Sequence, residues 1–277
     1  MYDFYFTDKK KIKRDPEKFL IFVKRLLPRW ANGIPDSECI AIYKLLVNLQ
    51  KKNKKKLVLL ETGSGASSLA MFLYCALWGG KMFSWDTNAS KGSFLKSVVN
   101  ESICKVLGVD LNKIWTFISY DSTDKNVGIE VLKELKIKAD FCFFDSIHTL
   151  DHLMREIKSF ETIASENFIV ALDDAYYQKR SMNYSYLNMI RKKLNLKKVS
   201  EPKTNKCEPF YIEIKNYFSK KYKKVKLLEN FYKSNYKKDI FFSYYESDRY
   251  FLNKTGMEEK SKLKNRLEAL LVEKNEF

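Results

Sequence analysis

The sequence predicts an α/β fold, a doubly wound and mostly parallel sheet with helices on both of its faces. Short continuous apolar runs alternate with longer amphipathic segments from about residue 55 onward. A strand in a parallel sheet is buried on both faces and is apolar throughout, whereas apolar positions three and four residues apart are typical of a covering helix. Hydrophobic residues make up 45% of the 277 residues, which is enough to bury such a core.

Residues 1–54 are predicted to form a helical cap. Apolar side chains from Phe19 onward are spaced for one helix face, and Pro28 ends that helix. Asp36 or Ser37 can cap a second helix over "SECIAIYKLLVNL". The charged run "KKNKKK" then connects the cap to the first strand.

Residues 55–250 are predicted to form the main domain, in which strands and helices alternate. The apolar runs predicted as strands are "KLVLLE", "KMFSWD", "IWTFISYD", "ADFCFFD" and "NFIVALDD". The helices predicted between them are "SSLAMFLYCALW", "GSFLKSVVNESICKVLG", "GIEVLKELKI" and "LDHLMREIKSFETI". This order indicates strands that run parallel and are joined by helical crossovers.

The end of the chain follows a different pattern. After a helix predicted over "SMNYSYLNMIRKKLN", the β-rich pieces "KKVKLLENFY" and "DIFFSYYES" follow each other with no room for a helix between them. They are therefore predicted to pair antiparallel at the end of the sheet. Residues 251–277 contain "MEEKSKLKNRLEALLVEK", which predicts a charged amphipathic C-terminal helix.

Charge and cysteine content bear on location and partners. The formal net charge of +17 attracts phosphates, nucleic acid or an anionic membrane surface, although lysines scattered over a solvated surface are the simpler explanation. The five cysteines form no C-x-x-C pair, which indicates a reducing compartment. The first residues lack an apolar leader, and "LAMFLYCALWGG" is too short to span a membrane. We therefore expect a cytoplasmic protein without a membrane span.

A glycine turn marks the candidate cofactor site. "ETGSG" places Gly63 and Gly65 between a predicted strand and a predicted helix, where the backbone can come close to a ligand. The second strand ends at Asp86, 23 residues after Gly63, which is close to the spacing of a ribose-binding acid. Ser67 stands in place of the third glycine of the dinucleotide pattern, so a pyrophosphate cofactor is disfavoured.

This pattern resembles the class I S-adenosylmethionine-dependent methyltransferases, whose first motif has the form acid-x-G-x-G. The resemblance covers about residues 55–250 and implies a Rossmann-like sheet of seven strands with a terminal antiparallel pair. It implies that the two glycines and Ser67 border the methionine end of the cofactor, with Glu61 helping to fix it. It also implies that Asp86 holds the ribose hydroxyls and that Asp121, after the third strand, lies near the adenine.

Three further aspartates follow the fourth and fifth predicted strands. Asp145 ends one, and Asp173 and Asp174 end the other, so the three carboxylates should meet at the edge where the cofactor turn lies. Clustered carboxylates favour a divalent cation among them. The spacing resembles the metal-dependent O-methyltransferases of the catechol, caffeoyl-coenzyme A and macrocin types, which implies that these three aspartates bind Mg²⁺.

Both histidines of the chain follow Asp145. His148 occupies the position at which these enzymes carry a catalytic base, and an imidazole suits proton removal from a hydroxyl. His152, one helical turn later, is expected to support His148 or to contact substrate, or else to be a helix histidine without a role. Tyr176 and Tyr177 follow the acidic pair and suit stacking on a sugar or ring.

We therefore expect an S-adenosylmethionine- and magnesium-dependent O-methyltransferase, with Asp145 and His148 as its catalytic residues. Its acceptor is expected to be a hydroxylated small molecule, a sugar or glycan or a natural product. An RNA methyltransferase would also explain the positive charge, but it is not favoured because "DSIH" is unlike the motifs of base-methylating enzymes. A non-catalytic binding module on the same fold is the other alternative. A homo-oligomer stays open.

Overall fold

The computed structural model describes residues 8–181, 184–228 and 267–274. They form a seven-stranded sheet of order β3-β2-β1-β4-β5-β7-β6. Its strands are β1 Leu57–Thr62, β2 Gly80–Trp85, β3 Trp115–Ile118, β4 Ala139–Phe144, β5 Ala164–Leu172, β6 Lys224–Leu227 and β7 Glu268–Glu273. The strands β1 to β5 pair in parallel, and β7 lies antiparallel to both β5 and β6. The predicted α/β class and the terminal antiparallel pair are confirmed.

Helices cover the sheet and connect its parallel strands. They are α1 Lys9–Arg14, α2 Pro16–Lys24, α3 Asp36–Asn53, α4 Ala66–Trp78, α5 Ala89–Val99, α6 Lys105–Leu107, α7 Leu111–Ile114, α8 Val131–Glu134, α9 Leu150–Ile163, α10 Tyr184–Lys193 and α11 Phe210–Ser219. The described part contains no helix that is long and apolar enough to cross a membrane.

Successive side chains of the strands lie on opposite faces of the sheet and pack in two apolar cores. Leu59 packs in one core with residues of α2 to α5, and its neighbour Leu60 packs in the other with residues of α9 and α11. Burial on both faces explains why the strands are apolar runs without polar alternation. The N-terminal helices share the first core with the sheet. The cap boundary at residue 54 stays a prediction.

The end of the chain differs from the prediction. Residues 268–273, expected within a C-terminal helix, form β7, whose Leu270 and Val272 are buried between β5 and β6. Pairing with two neighbouring strands outweighs the helix propensity of "EALLVE". The predicted strand "DIFFSYYES" and residues 251–266 lie outside the described residues. Helix α11 was not predicted.

Candidate functional site

The glycine turn after β1 is in close contact with the end of β4. Gly63 has φ +81°, and a Cβ atom there would lie 1.9 Å from the backbone oxygen of Asp145. Its N–H donates to the Trp85 oxygen at 2.8 Å, and the Asp145 N–H donates to the Thr62 oxygen at 2.8 Å. The carboxyl ends of β2, β1 and β4 are therefore joined at one point, and only glycine fits there.

Gly65 begins α4 and approaches the N-terminal cap. Its N–H donates to the Ser68 hydroxyl at 3.1 Å. A Cβ atom at this position would lie 3.3 Å from the backbone oxygen of Ala31. The turn is therefore enclosed by the cap on one side and by the end of β4 on the other.

Glu61 lies beneath the turn and does not line the adjoining cavity. Its buried carboxylate accepts hydrogen bonds from the hydroxyls of Ser67 at 3.0 Å, Ser68 at 2.5 Å and Ser84 at 2.6 Å. Burial raises the pKa of Glu61 to about 7, against the lowering effect of these hydrogen bonds. The structure thus places Glu61 and Ser67 as supports of the turn, because their polar atoms are engaged with each other.

A cavity of about 270 Å³ opens at the carboxyl ends of the parallel strands. It brings together five residues that the sequence predicted for the site, Gly63, Asp86, Asp121, Asp145 and His152. The lining residues are Gly63, Trp85, Asp86, Thr87, Lys91, Tyr120, Asp121, Ser122, Asp145, Ser146, Ile147 and His152.

Asp86 is held as a carboxylate at the edge of this cavity. Its Oδ2 accepts hydrogen bonds from the Ser64 N–H at 2.9 Å and the Ser64 hydroxyl at 2.8 Å, and it pairs with Lys91 at 3.2 Å. Its Oδ1 accepts from the Asn88 N–H at 2.9 Å. Burial alone would raise the pKa of Asp86, but these hydrogen bonds and Lys91 lower it below its ordinary value.

Asp121, on the loop after β3, also lines the cavity. Its Oδ1 accepts from the N–H and the hydroxyl of Thr123, both at 2.7 Å. Burial acts to raise the pKa of Asp121, but the two bonds and the nearby His152 and Arg155 lower it. Asp121 therefore adds a second hydrogen-bonded carboxylate to the lining of the cavity.

The buried carboxylate of Glu156 connects the two cavity-lining loops that contain Ser122 and Ser146. The sequence did not predict this role. The carboxylate of Glu156, on α9, accepts hydrogen bonds from the hydroxyls of Ser122 and Ser146, the latter at 2.8 Å. His152 Nε2 lies 3.3 Å from Glu156 Oε1, and its Nδ1 lies 3.2 Å from Arg155 Nη2. Both ring nitrogens of His152 therefore have protein partners, and the ring itself lines the cavity. The signal available in the sequence was the i, i+4 spacing of His152 and Glu156.

His148 lies at the cavity rim, directly after the lining residue Ile147. Its Nδ1 is 3.1 Å from Asp174 Oδ2, and its ring stacks on Tyr177 with centroids 5.6 Å apart. Asp174 has φ +50°, a left-handed conformation that a non-glycine residue rarely adopts. The strained backbone after β5 therefore brings the carboxylate of Asp174 to His148.

The predicted metal ligands do not form a ligand group. Asp145 lines the cavity, Asp173 is nearly buried behind β4 with its N–H on the Phe144 oxygen, and Asp174 pairs with His148. Among the described residues, no three His, Cys, Asp or Glu side chains are grouped so that they could hold a metal ion. The donor set present therefore does not fit the expected Mg²⁺ site.

Tyr176 and Tyr177 are both about half exposed near this rim. The Tyr176 hydroxyl donates to Glu268 at 2.6 Å and its ring contacts Tyr211, which ties it to β7 and α11. Tyr177 instead faces His148. Tyr177 is thus the tyrosine of the pair that adjoins the candidate catalytic residue.

No protein-family model and no curated protein matches the chain. Among solved structures, an O-methyltransferase from Bacillus cereus in complex with SAH is 14% identical, with 76% of this chain and 82% of that chain covered and a TM-score of 0.44. The plantazolicin methyltransferase BamL is 13% identical, with 96% and 99% covered and a TM-score of 0.42.

The MycE methyltransferase of the mycinamycin biosynthetic pathway, in complex with Mg and SAH, is 13% identical, with a TM-score of 0.33. The match covers 47% of this chain and spans about a third of the length of MycE, 31%. At these identities and TM-scores the chain's activity has to be inferred from its own site.

Proposed function

We propose that the chain is an S-adenosylmethionine-dependent O-methyltransferase acting on a hydroxylated small molecule. The observation that carries the proposal is the cavity at the carboxyl ends of β1 to β4, where the glycine turn, Asp86 and Asp121 meet beside the His148–Asp174 pair. In open α/β sheets, ligands bind in this crevice. The sequence resemblance to class I methyltransferases supports the identity of the cofactor.

The cavity walls suit the three parts of this cofactor. Asp86 Oδ2 already receives three donors and Oδ1 receives one, so Oδ1 has the greater remaining capacity to accept from ribose hydroxyls. Asp121 and the ring of His152 form the wall assigned to the adenine. Gly63 lines the cavity with backbone atoms alone, which lets the methionine end of the cofactor approach the turn closely. His152 is thereby reassigned from substrate to cofactor.

His148 is the proposed base. With Nδ1–H donating to Asp174, the Nε2 lone pair is left to take the proton of an acceptor hydroxyl. When bound, S-adenosylmethionine supplies an electrophilic methyl group on a positively charged sulfur. Asp174 acts as a positioning residue, since its carboxylate sets the tautomer and orientation of the imidazole and stabilises it once protonated.

The magnesium dependence expected from the sequence resemblance has a direct test. Because Asp145, Asp173 and Asp174 are not grouped as ligands, the deprotonation proposed here uses only His148 and Asp174. We expect methyl transfer to persist in EDTA. Loss of activity in EDTA with recovery on adding Mg²⁺ would show that the three aspartates regroup around the ion. The conclusion that they do not form a metal site would then be wrong.

The acceptor is proposed to be a sugar or another ring-bearing alcohol. Tyr177 presents a half-exposed ring next to the base, which suits stacking on a sugar or aromatic ring. The decisive experiment is a methyl-transfer screen of nucleotide sugars, glycans, phenols and short RNAs. Transfer to RNA alone would favour the nucleic-acid alternative, and tight cofactor binding with no transfer to any acceptor would favour a binding module.

Cofactor binding is tested separately by calorimetry with S-adenosylmethionine. Asp86→Ala is expected to weaken binding by about tenfold or more, since hydrogen bonds to a charged group contribute about 1.5 to 3 kcal/mol. Asp110→Ala is the matched control, because Asp110 Oδ1 likewise accepts from the N–H two residues later, that of Asn112, and Asp110 does not line the cavity. No measurable binding by the unaltered chain would contradict the proposal.

A further inference from the structure

The end of the sheet opposite the cavity carries a concentration of exposed lysines. Lys113, Lys81, Lys56 and Lys138 lie at the amino ends of β3, β2, β1 and β4, which are neighbours in the sheet. Because adjacent strands lie about 4.8 Å apart, the four ends span roughly 15 Å. We call this surface the lysine face, and its exposed lysines are Lys51, Lys52, Lys54, Lys55, Lys56, Lys81, Lys113, Lys133, Lys136 and Lys138.

Few acidic residues offset these charges in the described part of the chain. Asp140 is buried and pairs with Lys55 at 2.6 Å, and Asp110 caps α7. Glu134 and Glu166 are exposed at the same end. Four acids against ten lysines leave a strongly positive surface, and the catalytic proposal makes no use of it.

Two large, exposed apolar residues shortly precede β2 and β4 at this end of the sheet. Trp78, the last residue of α4, is 44% exposed, and Leu135, just after α8, is 62% exposed. The Lys56 side chain packs against Gly79, the residue that follows Trp78, because a Cβ atom at Gly79 would lie 3.3 Å from the Lys56 Cε. Leu135 precedes Lys136, whose φ of +54° makes the turn into β4 sharp. Exposed apolar tips surrounded by lysines are typical of surfaces that enter a bilayer interface.

A polar hollow includes two lysines of the lysine face, Lys55 and Lys138. It has a volume of about 420 Å³ and is lined by Asn53, Lys55, Lys138, Ser165, Glu166 and Asn167. Lys138 with the amide and hydroxyl donors suits a phosphate-bearing headgroup, while Lys55 is paired with Asp140 and Glu166 adds one carboxylate to the lining. The hollow thus offers one anion-binding site within a wider basic surface that also carries two exposed apolar side chains.

We propose that the lysine face docks the protein on the anionic surface of a lipid bilayer. The lysines attract anionic headgroups, and Trp78 and Leu135 enter the interface between headgroups and acyl chains. A duplex nucleic acid would use the lysines but would leave Leu135 in water, so the apolar tips favour the bilayer. The cavity lies at the opposite end of the strands and stays open to cofactor and acceptor. The proposal does not depend on the proposed function.

The test is flotation of the full chain with vesicles. We expect binding to vesicles that contain about one third phosphatidylglycerol, none to phosphatidylcholine alone, and release at high salt. The face variant replaces Lys52, Lys56, Lys136 and Lys138 by Gln. The matched control replaces Lys192, Lys193, Lys197 and Lys198, which are also exposed, and removes the same charge.

The face variant is expected to lose at least about tenfold in partition coefficient, and the control less than about twofold. Trp78 fluorescence, measured in a Trp30→Phe background, should shift to the blue with anionic vesicles, and Leu135→Ser should weaken binding without a change in charge. Thermal melting of each variant checks folding.

Equal losses in the face variant and its control would overturn the proposal. So would a chain that does not bind anionic vesicles, or full competition by soluble glycerol phosphate, which would assign the hollow to a free phosphate. Binding of duplex RNA that depends on the face lysines, without binding to vesicles, would assign the surface to nucleic acid and likewise overturn it.

Discussion

Gly63→Ala tests whether the close approach of β1 and β4 shapes the cofactor cavity. The new methyl group would lie 1.9 Å from the Asp145 oxygen and 2.6 Å from its carbonyl carbon, both of them backbone atoms that no side-chain rotation can move away. Left-handed backbone geometry costs an alanine about 1 kcal/mol, and overpacking of this kind about 1 to 3 kcal/mol more. We expect a loss of about 2 to 4 kcal/mol in unfolding free energy and a melting temperature lower by at least about 4 °C.

Gly108→Ala is the matched control for this substitution. Gly108 also has a positive φ, +65°, but a Cβ atom there meets nothing within 4 Å. It should therefore show only the backbone cost of about 1 kcal/mol. Urea unfolding measures both free energies, and calorimetry with S-adenosylmethionine measures binding, which Gly63→Ala should lose and Gly108→Ala should keep. Equal destabilisation of the two variants, with cofactor binding intact in both, would refute the reasoning.

Substitutions at other residues distinguish roles in catalysis, cofactor binding and stability. His148→Ala should lower kcat by about 10² to 10⁴, and Asp174→Asn by about tenfold or more, while the dissociation constant for cofactor stays unchanged; a matching loss of cofactor affinity would contradict their roles. Glu156→Gln should weaken binding of S-adenosylhomocysteine about tenfold. Glu130→Gln, which removes a surface carboxylate bound to Ser159, should leave binding unchanged. Equal dissociation constants for the two variants would show that the hydrogen bonds of Glu156 do not shape the cofactor site. The pKa of Glu61 is raised by burial from 4.5 to about 7, so the folded state holds this proton more tightly than the unfolded state. The resulting stability is complete below pH 4.5 and is lost as the pH rises through about 7, by up to about 3 kcal/mol; in urea unfolding, Glu61→Gln should flatten this dependence.

Sequence periodicity was sufficient for the parallel part of the sheet. The five predicted apolar runs coincide with β1 to β5 to within about three residues at each start, and α3, α4 and α9 follow the amphipathic patterns closely. Because the carboxyl ends of parallel strands meet at one edge, their order along the chain also brought Gly63, Asp86, Asp121 and Asp145 into one cavity. Local pattern and a general property of parallel sheets carried this part of the prediction.

The second half of the predicted helix at the C-terminus shows where local pattern is insufficient. "EALLVE" favours a helix by residue type, yet it is β7, because β5 and β6 provide backbone partners on both sides and cores on both faces. Such partners lie far away in sequence. No periodicity within residues 268–273 reports them.

Sequence alone determined the fold class, the glycine turn and the edge of the sheet at which polar side chains gather, since each follows from local pattern. Tertiary structure decided what those side chains face. Glu61 lies beneath the turn among serines, Asp174 reaches His148 through a left-handed backbone, and Glu156 joins two loops that are distant in the chain. Side-chain direction depends on strand pleat, backbone conformation and neighbours brought together by folding, and none of these is encoded at a single position.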